Sequence, residues 1–129
     1  MSAQLDHTIV HSSDRFGGAR FLAELIESAE PPYANGPFAA LTLDDGLTLD
    51  YLDHRGDIVS QHLAFRVPDD LFERILAKVV ERELPYWADP HHTEPGATYL
   101  HHGSRGFYVD DPDGHALEFL TPPTGAAAG

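Results

Sequence analysis

The sequence predicts an α+β protein built from two βαβββ modules, and three observations carry that prediction. The two halves repeat one another: His7 and Asp14 recur at the same spacing as His62 and Asp69, and Gly46, Leu49, Asp50, Tyr51 and Leu52 recur at a constant offset as Gly114, Leu117, Glu118, Phe119 and Leu120. Each half also holds one segment with apolar residues at helical spacing. The other apolar runs are short, alternate along the chain and are bounded by Gly, Pro and Asp turn signals, as strands are. A chain of 129 residues, 42% of them hydrophobic, has material for a single domain spanning 1–129. Within it the modules fall at residues 1–57 and 58–122, and the small, uncharged residues 123–129 read as a flexible tail.

In the first half, LDHTIVH (residues 5–11) alternates and is β-branched enough for a strand. RFGGARFLAELIES follows with Leu22, Leu25, Ile26 and Ala29 at helical spacing, its first turn weakened by Gly17 and Gly18. EPPYANGP stops that helix with three prolines and supplies a short second strand. FAALTL and GLTLDYLD flank Asp45-Gly46, a hairpin signal.

The second half opens with SQHLAFRV, where alternation sends Leu63, Phe65 and Val67 under the helix and His62, Ala64 and Arg66 to the opposite face. The helix is PDDLFERILAKVVERE, with Leu71, Phe72, Ile75, Leu76, Val79 and Val80 as its stripe and Asp70 with Glu73 as a capping-box-like start. PYWADPH reads as a short edge strand, HHTEPGATYLHHGS as a loop, and GFYVDDPDGHALEFL as two strands around a Pro-Asp-Gly turn.

Composition removes several function classes. With 21 acidic against 8 basic side chains the formal charge is −13, so a polyanion such as nucleic acid is repelled. No apolar run has the length of a membrane span, and MSAQLDHTIV lacks the pattern of a secretory signal, so a cytoplasmic protein with no membrane partner is expected. The absence of cysteine rules out disulfides, thiolate metal sites and a cysteine nucleophile. Any metal must be held by nitrogen and oxygen, and the 9 histidines make histidine the residue type to follow. His7 shares its strand face with Leu5 and Ile9, and Glu118 shares its face with Ala116 and Leu120. Ionisable groups among apolar strand neighbours are costly unless something satisfies them.

LDHTIV, QHLAFRV and above all DDPDGHALEFL resemble the first-strand and last-strand motifs of the vicinal oxygen chelate superfamily of glyoxalases, bleomycin-resistance proteins and dioxygenases. The resemblance spans nearly the whole chain. It implies paired modules forming a curved mixed sheet around a cleft, with metal ligands at His7, Asp50, His62 and Glu118. Asp50 is one methylene shorter than the glutamate usual in the glyoxalase branch. Without it, His7, His62 and Glu118 make a set of two histidines and one carboxylate, suited to a first-row divalent ion such as Fe2+, Mn2+, Zn2+ or Ni2+.

The implied function is a metal-dependent enzyme acting on a small substrate with vicinal oxygens, either a glyoxalase-like lyase or isomerase or an extradiol-type dioxygenase, with Glu118 as the catalytic carboxylate. The alternative is a metal-free protein of the bleomycin-resistance type that sequesters a small molecule in the same cleft. Small members of the superfamily commonly pair as homodimers, which also covers strand edges.

His102 is a candidate for proton transfer, and Tyr99, Arg105, Tyr108 and Trp87 are candidates for substrate contact. Asp110, Asp111 and Asp113 are expected to form turns, and His11, His54, His91, His92 and His115 to be surface or turn residues.

Overall fold

The computed structural model describes residues 2–123, so all but Pro123 of the expected tail lies outside the described residues. The chain divides into two compact units between Val59 and Ser60. The first contains β1 (His7–Ser12), α1 (Arg15–Leu25), β2 (Tyr33–Asn35), β3 (Phe38–Thr42) and β4 (Thr48–Asp53). The second contains β5 (His62–Arg66), α2 (Asp69–Glu81), β6 (Tyr86–Trp87), β7 (Tyr99–His101), β8 (Ser104–Asp110) and β9 (Ala116–Leu120). Among the described residues, no helix is long and apolar enough to cross a membrane.

Both units use one topology. The four-stranded sheet has the order β1-β4-β3-β2 and the five-stranded sheet the order β5-β9-β8-β6, with β7 also paired to β8. In each, the first strand runs parallel to the last and lies beside it, while the remaining pairs are antiparallel. The fold is therefore α+β with two mixed sheets, as the internal repeat requires. Strand β7 departs from the expected βαβββ pattern. It lies inside HHTEPGATYLHHGS, whose polar and turn-forming residues mask a strand of only three residues.

Period-two alternation places one face of each sheet under its helix. In the first unit that face carries Val10, Ser12, Ala39, Leu41, Leu49 and Tyr51, all buried, against Ala19, Leu22 and Leu25 of α1. Gly18 sits where a Cβ would press on the Tyr51 ring at 3.2 Å and Ser12 Oγ at 2.9 Å, so its lack of a side chain lets the helix seat closely. Asp14 caps the helix by accepting from the Gly17 amide at 3.2 Å.

In the second unit Phe72, Ile75 and Val79 of α2 are fully buried, as are Phe107, Leu117 and Phe119 of the sheet. Phe72 and Tyr86 both meet Phe107 edge-on, at 5.5 and 5.7 Å between centroids. The expected capping box does not form. The helix starts at Asp69 after Pro68, with no side-chain cap, so Asp70 is already inside the first turn and pairs with Arg74 at 3.4 Å instead. Both helices end alike, with Glu27 and Glu83 at φ of 56° and the next amides, Ser28 and Leu84, bonding back to Ala23 and Val79.

Phe72 is the residue on which the packing of α2 turns. Phe72→Ala is expected to cost about 3–5 kcal/mol of unfolding free energy in a urea titration. A loss below about 1 kcal/mol would show that α2 is not held by this contact.

Candidate metal and substrate site

The sheet face opposite each helix carries the chemistry. In the second unit, register pairs His62 with Ala116 and Ala64 with Glu118 across β5 and β9, and Tyr108 with Glu118 across β8 and β9. His62, Glu118 and Tyr108 thus share one face, with Trp87 opposite Tyr108 at its edge. His62 Nε2 lies 2.8 Å from Glu118 Oε1, with the histidine side chain 50% exposed and the glutamate 12%. The Tyr99 hydroxyl donates to the other carboxylate oxygen, Oε2, at 2.5 Å. The rings of Tyr108 and His62 lie 5.5 Å apart.

Both phenols are held protonated. Burial, followed by the hydrogen bond and the charge of Glu118, pushes the Tyr99 hydroxyl well above its ordinary range. Burial and then the same charge push Tyr108 up to about 12. At neutral pH each is a donor to Glu118 and neither is a base. Beside this cluster lies a cavity of about 520 Å³ whose walls include Arg66, Asp89, Tyr99, His102, Tyr108 and Glu118.

In the first unit the equivalent face holds His7 and Asp50. Asp50 is opposite Ile9, so His7 is its diagonal neighbour on the same face. The His7 side chain is 61% exposed and its Nδ1 lies 2.8 Å from Asp6 Oδ2. That hydrogen bond, then the Asp6 charge, raises its pKa. With Nδ1 taken by a carboxylate, Nε2 is the ring nitrogen left to bind something else. Asp50 is only 6% exposed, and its Oδ1 has no hydrogen-bond partner among the described residues.

His62 and Glu118 are thus brought together in one unit and His7 and Asp50 in the other. Among the described residues, no group of three or more His, Cys, Asp or Glu side chains stands ready as a metal cage. The pair His62–Glu118 fits as part of one, because two ligand atoms bound at right angles, each about 2.1 Å from an ion, are themselves about 3 Å apart.

The other candidates divide. Tyr99, Tyr108 and His102 line the cavity, His102 in the turn after β7 with φ of 50°. Trp87 stacks on His92 at 3.6 Å, with the two rings 9° from parallel. Arg105 does not join them. It pairs with Glu73 of α2 at 2.6 Å and lies 4.8 Å over the Phe72 ring, on the helix side of the sheet, where alternation puts it opposite to Tyr108.

His115, expected at the surface, is fully buried: its Nδ1 accepts from the Gln61 amide at 3.0 Å, and its own amide donates to Asp111 Oδ1 at 2.9 Å. Asp111 is a turn former as expected, also accepting from the Asp113 amide at 2.9 Å. Its carboxyl is pushed up by burial. His11 and His54 are exposed and stack on each other at 4.7 Å.

Sequence reasoning put Arg66 on the His62 face without naming it a site residue, and it missed Gly106. Gly106 carried a signal, since glycine inside a strand marks a close approach. A Cβ built on it would collide with the Tyr99 ring.

No protein-family model and no curated protein sequence matches the chain significantly. Solved structures do. The protein described as Oxidase ChaP-H1 is 43% identical, with a TM-score of 0.90 over 97% of this chain and 100% of its own. Oxidase ChaP-H2 is 46% identical, with a TM-score of 0.91 over 97% of this chain and 98% of its own. A glyoxalase/dioxygenase from Nostoc punctiforme shares the fold at 19% identity, with a TM-score of 0.70 over 93% of this chain and 91% of its own. By these similarities the chain belongs to the vicinal oxygen chelate superfamily of glyoxalases, bleomycin-resistance proteins and dioxygenases.

Proposed function

We propose that the protein is a metal-dependent, oxygen-using enzyme acting on a small substrate with adjacent oxygen atoms, with His62 and Glu118 as metal ligands and His7 as the ligand that the first unit offers. The observation that carries this reading is the His62–Glu118 pair, 2.8 Å apart on an open sheet face beside a cavity of about 520 Å³. Two relatives above 40% identity that are named oxidases favour oxygen chemistry over isomerisation. When bound, a first-row divalent ion supplies Lewis acidity toward vicinal oxygens and, if redox-active, a route to dioxygen.

The chain's own groups have separable tasks. His62 and Glu118 hold the ion from one strand pair, and Tyr99 and Tyr108 donate to the carboxylate and wall the cavity. His102, whose ring meets that of His101 edge-on at 4.0 Å, lines the cavity and is placed to take a proton from the substrate. Arg66, which lines the same cavity, supplies positive charge in a protein of net charge −13 and favours an anionic or phenolic substrate. A homodimer is part of this reading, and sedimentation as a monomer at micromolar concentration would remove it.

Elemental analysis of tag-free protein purified under nitrogen without chelators is expected to find near-stoichiometric iron or manganese. His62→Ala and Glu118→Ala should each reduce the metal to background and abolish turnover, with the circular dichroism spectrum unchanged. Metal retained in both variants would refute the ligand assignment, and failure to load any metal on reconstitution would leave a passive binding pocket as the better account.

Asp50 offers an independent expectation about the cost of the site. A buried carboxylate oxygen without a donor is unfavourable. In metal-stripped protein, Asp50→Asn should therefore hold or raise stability, by up to about 1–2 kcal/mol in urea. A clear loss would mean that the Asp50 carboxylate is compensated and structural.

A further inference from the structure

We propose that Tyr99, seated across Gly106, is a positioning residue that fixes Glu118 to bind the metal through one oxygen only. The proposal rests on the metal-enzyme reading above, gives the Tyr99–Glu118 bond a specific consequence and assigns a task to Gly106, which that reading leaves without one.

The sheet order makes the contact improbable without a special provision. Tyr99 is on β7, opposite Gly106 of β8, whereas Glu118 is on β9, on the far side of β8. To reach Glu118 the tyrosine must lie across the intervening strand. Gly106 is what allows it, because a Cβ there would collide with Cε2, Cζ and Oη of the Tyr99 ring. Gly106 is not among the positive-φ glycines, so its backbone does not demand glycine; the space does. A glycine inside a strand weakens the sheet, and here the weakening is matched by a contact that no other residue at 106 permits.

The result of the crossing is a division of the carboxylate. Tyr99 Oη donates to Oε2 at 2.5 Å, while Oε1 faces His62 Nε2 at 2.8 Å. Tyr108 also bonds to Glu118, from the register-paired position on β8, and needs no such gap. With Oε2 held by the Tyr99 hydroxyl, the oxygen on the His62 side is the one free to ligate, and the carboxylate cannot swing to chelate through both. Outer hydrogen bonds of this kind orient ligands, and their removal typically weakens metal affinity about 10–100-fold.

The test is Co2+ titration of the tag-free, metal-stripped full chain, followed by visible absorption. Tyr99→Phe, which keeps the ring and removes the donor, is expected to raise the Co2+ Kd by about 10–100-fold and to alter the d–d bands of the loaded protein. Gly106→Ala, which keeps the tyrosine but displaces its ring, should give a similar loss. Because both act on one contact, the double variant should be no worse than the weaker-binding single one.

A role confined to folding would lower the melting temperature while leaving the d–d bands of the saturated protein unmoved, and that outcome overturns the proposal. So does a Tyr99→Phe protein that binds Co2+ with unchanged Kd, or losses that multiply in the double variant. Those results would leave the metal reading intact, whereas wild-type protein that binds no Co2+ overturns both.

Discussion

A carboxylate on the face of a β-sheet, nearly out of reach of water, has to be compensated by its neighbours. Glu118 is that carboxylate, and the second unit is arranged around it. His62 meets one oxygen from the adjacent parallel strand, and Tyr99 meets the other from two strands away. Gly106 gives up its side chain so that Tyr99 can pass. Removing the negative charge from this face would leave a buried phenol at Tyr108, a half-buried one at Tyr99 and a strand glycine with no reason to be there.

The first unit repeats the topology and not the compensation. Asp50 occupies the place of Glu118 in the repeat and is even less exposed, at 6%, yet its Oδ1 has no donor among the described residues. Its neighbours on that face are Ala40 and Ile9, which offer nothing polar, and His7, a diagonal step away, is turned to Asp6. Two copies of one module have therefore diverged: one holds a satisfied acid and the other an unsatisfied one. A buried carboxyl oxygen without a donor is a cost that the first unit carries and the second does not.

Much of this was legible in the sequence because it rests on periodicity and repetition. Alternation in HLAFR and ALEFL places His62 and Glu118 on the face away from the helix, and the repeat selects them together with His7 and Asp50. What escaped depends on contacts between distant strands. Strand β7 is three residues long within a polar loop, so nothing local announces that Tyr99 belongs to the sheet. His115 lies next to a Pro-Asp-Gly turn, where exposure is the usual outcome, and is buried because the Gln61 amide and Asp111 satisfy it. Arg105 is a different case. It stands three residues from Tyr108 in one strand, and two residues an odd number apart cannot share a face, so alternation alone was enough to send it to the helix side.

The central claim is that the His62–Glu118 pair of the second unit holds a metal ion. X-ray absorption on the metal-loaded protein tests it most directly, because an imidazole ring bound to the metal leaves a multiple-scattering signature. The account predicts imidazole scattering around the metal of the wild-type protein and metal at background in His62→Ala. A bound metal whose environment contains no imidazole would contradict it.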